Sequence, residues 1–240
     1  MKNGLLLEIS VQSAEAALAA ERGGANRIEL CDDLDVGGTT PSVDLMREVR
    51  RQVRLPVFAM IRPRSGDFVY TDGEFAEMKR AIGFAKESKM DGVVLGALRK
   101  DRRVDIARTR ELVEIAQSLP VTYHRAFDDC ADLRRGLEDV IQTGAARILT
   151  SGGAAGAAEG VAVISELIVN ARNRIIVIPG AGINAFNIQP VVRITRAMEI
   201  HSGLSSVIGR SAGPGKFEAG VRELAERLRE CQSECKTEMD

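Results

Sequence analysis

Short aliphatic runs alternate along the chain with longer stretches of helical pattern. Eight runs stand out, at residues 5–10, 27–31, 57–62, 92–98, 121–127, 147–151, 175–179 and 199–202. They are near-continuous in Val, Ile and Leu, as strands of a parallel sheet covered on both faces must be. A helical pattern separates each pair, and a last one, at about 216–234, brings the helices to eight. Alternation of this kind predicts right-handed βαβ units, and eight of them predict an α/β fold, a single (β/α)8 barrel. The whole of 1–240 reads as one domain, with 216–240 as closing helix and frayed tail.

Local signals mark the helix ends. Thr71 and Glu74 form a capping box, Thr40-Pro41 reads as N-cap and first helical residue, and Ser13 caps the first helix. Gly23-Gly24 and Gly144 read as left-handed stops. Pro190 fits the first turn of a helix starting near Gln189. The sequence Gly24-Ala25-Asn26-Arg27-Ile28 returns as Gly144-Ala145-Ala146-Arg147-Ile148, half the chain of 240 residues later, which makes strands 2 and 6 equivalent across two half-barrels. A doubly wound open sheet is the rival. It would place a glycine fingerprint after its first strand, where this chain has Ser10-Val11-Gln12-Ser13.

Composition narrows the picture. The length of 240 is near the roughly 250 residues of a (β/α)8 barrel. With 4% aromatics and no Trp, the core must be aliphatic. A net charge of −1 with interspersed signs offers no footprint for nucleic acid and no basic helix for a membrane surface. Leu5-Leu6-Leu7 is broken by Glu8 and no apolar run approaches the roughly 18 residues of a membrane span, so a cytoplasmic protein with reduced cysteines is expected.

Barrel chemistry sits at the C-terminal ends of strands. Residues two apart share a face, which pairs Glu8 with Ser10, Glu29 with Cys31, Met60 with Arg62, Thr122 with His124 and Glu199 with His201 on the inner side. Leu7, Ile9, Ile28, Leu30 and Ile61 then face the helices. Glu8, Glu29, Arg62, His124 and His201 are the candidate catalytic residues of one mouth. Buried glutamates need partners, and Arg62 and Arg125 are the nearest in the pattern. A purely structural Glu–Arg lattice is the plain alternative to a site.

Two glycine loops follow strands 6 and 7. Ser151, Gly152 and Gly153, with Gly180 and Gly182, offer backbone N–H groups to an anion such as phosphate; the plainer reading is a pair of tight turns. No lysine falls at a strand end, which excludes a Schiff-base aldolase. Cys31 and Cys130 follow strands 2 and 5. Cys231 and Cys235 share one face of the last helix, as two free thiols or a two-cysteine metal site.

The segments 27–31 (RIELC), 37–42 (GGTTPS), 60–68 (MIRPRSGDF), 92–98 (GVVLGAL), 122–128 (TYHRAFD), 149–153 (LTSGG) and 199–202 (EIHS) together resemble the CutC family, from about residue 4 to 203. The resemblance implies a cytosolic (β/α)8 barrel linked to copper homeostasis and an oligomer, for which a homodimer is expected. It also implies Cu(I) on cysteines at the ends of strands 1 and 2. Cys31 matches the second position and is the candidate metal ligand; Ser10 stands at the first, so weak Cu(I) binding is expected. Two readings stay open: a copper-handling protein, or an enzyme of isomerase or lyase type on a small phosphorylated or polyhydroxylated molecule.

Overall fold

The structure, a computed structural model, describes residues 4–204 and 213–237, with side chains to 233. All eight aliphatic runs are strands: β1 Leu6–Val11, β2 Arg27–Leu30, β3 Val57–Met60, β4 Gly92–Leu95, β5 Val121–Tyr123, β6 Arg147–Thr150, β7 Ile176–Pro179 and β8 Glu199–Ser202. The helices are α1 Ala14–Gly23, α2 Val43–Gln52, α3 Asp72–Glu87, α4 Ile106–Ala116, α5 Leu133–Thr143, α6 Val161–Ala171, α7 Ile188–Thr195 and α8 Pro214–Thr237. Every ladder is parallel, in the order β7-β6-β5-β4-β3-β2-β1-β8. β7 and β8 lie side by side and complete a nearly closed barrel. Ser202 Oγ reaches across that seam to the Ile183 carbonyl at 2.7 Å.

The alternation along each strand divides the core in two. Leu7, Ile9, Ile28, Leu30 and Ile61 join the large aliphatic layer under the helices, while Cys31, Phe58, Met60 and Val94 form a separate small cluster inside the barrel. Gly92 makes room for the one large ring in that interior, since a Cβ there would fall 2.6 Å from Phe58. Gly23 does the same outside, where α8 crosses α1 so closely that a Cβ would meet Val221 at 2.6 Å. None of the helices described is long and apolar enough to cross a membrane.

Caps decide where helices begin. Ser13 and the Thr71–Glu74 box act as expected, Gly24 and Gly144 stop α1 and α5 in the left-handed region, and Pro190 lies in the first turn of α7. The start of α2 differs from expectation. Ser42 is its cap, accepting from the Leu45 N–H, and Thr40 is drawn away to β3, where it exchanges bonds with the Arg62 backbone. Strands β3, β4 and β5 end earlier than their apolar runs. Residues 96–98 turn off into a loop held by the Phe68 carbonyl, and His124 caps a 3-10 turn over Arg125–Asp129. Of the two thiols expected on the last helix, Cys231 is buried; the Cys235 side chain lies outside the described residues, as do residues 238–240 of the closing segment, whose helix runs on to Thr237.

Candidate active site

Parallel register places Glu8 on β1 opposite Arg27 on β2 and opposite His201 on β8. All three are buried. Arg27 Nε donates to Glu8 Oε2 and its Nη2 to Glu199 Oε2 at 2.6 Å, and Arg147 Nε donates to the same Glu199 oxygen at 3.1 Å. Both guanidiniums lie over the Phe58 ring, at 5.0 and 5.3 Å from its centroid. Glu29 forms no ion pair with an arginine among the described residues. The arginine partners of Glu8 and Glu199 are Arg27 and Arg147, not Arg62 and Arg125. They stand at the starts of β2 and β6, where strand-end reasoning does not look, yet they are the arginines of the repeated Gly-Ala-x-Arg-Ile motif.

One step higher, His201 Nδ1 meets Glu8 Oε1 at 2.8 Å, and its Nε2 lies 3.8 Å from Glu29 Oε2. The other Glu29 oxygen has no protein partner. Burial alone would raise the Glu8 pKa, but the bond to His201 and the charge of Arg27 override it and hold the carboxyl at about 2. Glu29 goes the other way: burial, with the Glu8 charge added, raises it above the ordinary carboxyl range. For His201, burial favours the neutral ring, and the charges of Glu29 and Glu8 outweigh it, so the imidazolium persists upward in pH.

Above this trio opens a cavity of about 400 Å³. Glu29, Arg62, His124 and His201 line it, with Phe68 as one wall; Glu8 lies beneath, reached through His201. Four of the five expected mouth residues thus share one space and the fifth supports it. His124 Nδ1 accepts the Ala126 N–H at 3.2 Å, which fixes the neutral tautomer with hydrogen on Nε2. That Nε2 is buried without an acceptor. Burial and the Arg62 charge hold the His124 pKa down at about 3, so the ring is a neutral donor. Gly96 seats it, because a Cβ there would come 2.8 Å from Nδ1.

Contrary to expectation, the glycine loop after β6 is not left open to an outside anion. Asp128, from the 3-10 turn after β5, reaches the loop after β6 and takes the N–H groups of Ser151 and Gly153 and the Thr150 hydroxyl, while Gly152 N–H bonds Thr150 Oγ1. Gly180 N–H bonds the Thr150 carbonyl, and Gly182 turns at φ +68° on the cavity rim. Helices α6 and α7 begin at Val161 and Ile188, several residues beyond the glycines, so no helix N-terminus adds its dipole. A carboxylate of the protein already fills the role of a bound anion. Asp128 was missed because its place is set by the 3-10 turn after β5, which nothing in the alternation announces.

Cys31 does not stand as a metal ligand. Its thiol is buried, lies 3.6 Å from Glu29 Oε2, and is pushed well above the ordinary thiol range by burial and by Glu29. Among the described residues, the ligand atoms within 4.8 Å of one another belong to Glu8, Glu29 and His201, and Cys31 is outside that set. Phe68 and Tyr70, on the long segment after β3, also turn inward: Tyr70 is buried and the Phe68 ring packs on Arg62 and His124.

A parallel eight-stranded barrel with a polar cavity at the C-terminal ends of its strands makes the chain a (β/α)8 barrel protein. Within that class the chain belongs to the CutC family, whose model matches residues 5–206. A human protein named copper homeostasis protein cutC homolog is 47% identical over 204 residues, 85% of this chain and 75% of that one. A CutC-family protein of Xanthomonas axonopodis pv. citri is 46% identical, covering 84% of each chain. The crystal structure of a CutC protein from Streptococcus agalactiae superposes with a TM-score of 0.79 at 32% identity, over 83% of this chain and 98% of that one.

The chain has two histidines, so ring nitrogen NMR resolves both. His124 should remain neutral with hydrogen on Nε2 from pH 8 down to about 3. His201 should hold its proton above its ordinary pKa of 6.5, and Glu29→Gln, which removes a negative charge, should lower that midpoint. An upward shift, or a charged His124 at pH 5, contradicts the assignment.

Proposed function

We propose that this CutC-family barrel is an enzyme that moves a proton on a small polar molecule held over Glu29 and His201. The observation that carries the reading is the floor of the cavity. A buried carboxyl of raised pKa presents one unpartnered oxygen beside an imidazole that Glu8 orients and keeps protonated. Neighbouring groups with pKa values pushed apart are what an acid–base pair requires. Glu29 is the base, or in its protonated form the acid; His201 is the acid. None of the described lysines lines the cavity, so the chemistry is of isomerase or lyase type without a Schiff base. Solvent deuterium uptake by a panel of small sugars, hydroxy acids and keto acids, followed by proton NMR, is the test. Glu29→Gln should leave the circular dichroism unchanged and slow exchange about 10²- to 10⁴-fold. A substrate turned over equally well by that variant ends the reading.

Copper enters through the relatives' names, and the residues do not fit it. Cu(I) takes soft sulfur ligands. Here one thiol, kept protonated, lies 3.6 Å from a Glu29 carboxylate oxygen, and the position on β1 that would carry the second thiol is Ser10. A harder cation at Glu8, Glu29 and His201 fares little better, since both Glu8 oxygens are committed to Arg27 and His201. In competition with a Cu(I) chelator the protein should bind weakly, and Cys31→Ser should change nothing. Tight stoichiometric binding lost in that variant would restore the copper role.

We also propose a cytoplasmic homodimer. The thiols of Cys31 and Cys130, both outside any disulfide, suit a reducing compartment. A two-fold pair is the commonest closed assembly. Its face is the pair of neighbouring helices α6 and α7, where Val169 and Ile194 are exposed near the helix C-termini and Phe186, itself 93% exposed, stands just before the start of α7. Light scattering should give twice the chain mass, falling towards one in Phe186→Ser. A monomer at high concentration refutes it.

A further inference from the structure

The cavity has two chemically opposite sides. Glu29 and His201 form its floor, and Arg62 and His124 meet on the Phe68 ring, at 4.8 Å from its centroid for the guanidinium and 4.9 Å for the imidazole. Arg62 is 5% exposed, yet among the described residues no carboxylate lies within ion-pair distance of it. Its Nη1 donates to the carbonyls of Val36 and Gly38 and its Nη2 to that of Gly66, all at 2.9–3.0 Å; the buried Tyr70 hydroxyl also lies against the guanidinium, and Nε has no well-aligned acceptor. Three bonds and that hydroxyl leave at least one of the five N–H groups of a guanidinium over. Beside it His124 presents its own buried, unaccepted Nε2–H. A buried cation without a counter-charge is costly, and two unaccepted donors add to the cost. A ligand bringing both the charge and the acceptors relieves all three.

We propose that the Arg62–His124 wall is the subsite for a carboxylate, so that the molecule acted on at Glu29 and His201 is a small carboxylic acid. This rests on the acid–base reading above and adds the class of substrate to it. The charge and the donor count select the carboxylate. One guanidinium and a neutral imidazole N–H match a monoanion with two oxygens. A phosphate dianion asks for more donors, and the backbone N–H groups of residues 151 and 153 that would serve it are bound to Asp128. Arg125, the other guanidinium of the lining, is already paired with Asp128 at 2.8 Å, and Asp129 on the same rim repels a second negative charge.

Calorimetric titration of the full chain with lactate, pyruvate, propane-1,2-diol and inorganic phosphate tests the subsite. Lactate or pyruvate should bind. Propane-1,2-diol, which is lactate with its carboxylate replaced by CH2OH, should bind at least about tenfold more weakly, as one lost charged hydrogen bond requires. Phosphate should be weaker than the better acid. His124→Phe keeps a ring against Phe68 and removes only the donor; it should lose tenfold or more in acid affinity with unchanged circular dichroism. Arg62→Gln should lose more, though Arg62 also ties three loop carbonyls, so the His124 variant decides. Failure of both acids to bind at millimolar concentration overturns the subsite, as do a diol that binds as well as lactate, phosphate that binds more tightly, and an unchanged His124→Phe. Glu29→Gln separates the two readings. If it abolishes turnover of a neutral polyol while acids fail to bind, the acid–base floor stands and the carboxylate wall falls. If acids bind through His124 but turnover survives Glu29→Gln, the wall stands and the floor falls.

Discussion

Glu8 is fully buried, and its two oxygens are divided between two jobs: one holds Arg27, the other holds His201. The rest of the interior follows from that division. Bringing a carboxylate and a guanidinium out of water costs several kcal/mol per ion, and removing one partner of such a pair costs roughly 3–5 kcal/mol. The barrel meets the cost by closing the charges into a chain, Glu8–Arg27–Glu199–Arg147, with the Phe58 ring beneath both guanidiniums. A lattice of this kind is rigid because every member is needed by the next. It gives His201 a fixed orientation that an isolated imidazole at a strand end would lack.

The structural and functional readings of the inner polar residues are therefore layers of one object. The lower layer is matched charge for charge. The upper layer is deliberately incomplete, with Glu29 Oε1, Arg62 Nε and His124 Nε2 all buried and without partners. Six other such atoms lie elsewhere among the described residues, Arg147 Nη1 in the lower layer among them, but these three border one cavity and open onto the place where a ligand would enter. The electrostatics carry the same message: the carboxyls Glu8 and Glu29 lie on one floor and are pushed in opposite directions, and the two histidines are likewise separated, one charged and one neutral.

How much of this was legible in the sequence depends on the range of the interaction. The eight strands, the barrel, and the inward phase of Glu8, Glu29, His124 and His201 follow from alternation and helix periods, which are local, and the motifs around them sufficed to mark the family. Pairing is not local. Arg27 reaches Glu199 across 172 residues of chain, and only the closing of β8 onto β1 brings them together. The repeat of Gly-Ala-x-Arg-Ile was the available clue, since an arginine at the same position in two buried strands needs an inward reason. Arg62 shows the opposite failure. Its position was read correctly and its partner was not, because what holds its Nη1 and Nη2 are three backbone carbonyls from the loops 36–38 and 66, and carbonyls leave no mark in a sequence.

The glycine loop after β6 shows why composition alone misplaces an anion site. Glycines expose backbone N–H groups, and exposed N–H groups attract a carboxylate or a phosphate without distinguishing whether it belongs to a ligand. Here the 3-10 turn that follows His124 delivers Asp128 to that loop, and Arg125 adds a charge at 2.8 Å to hold it there. The same turn fixes the His124 tautomer through the Ala126 N–H. One short element thus closes a donor cluster on one side of the cavity and keeps a donor open on the other. The positive character that a barrel mouth would otherwise draw from its glycine loops is moved to the wall built by Arg62.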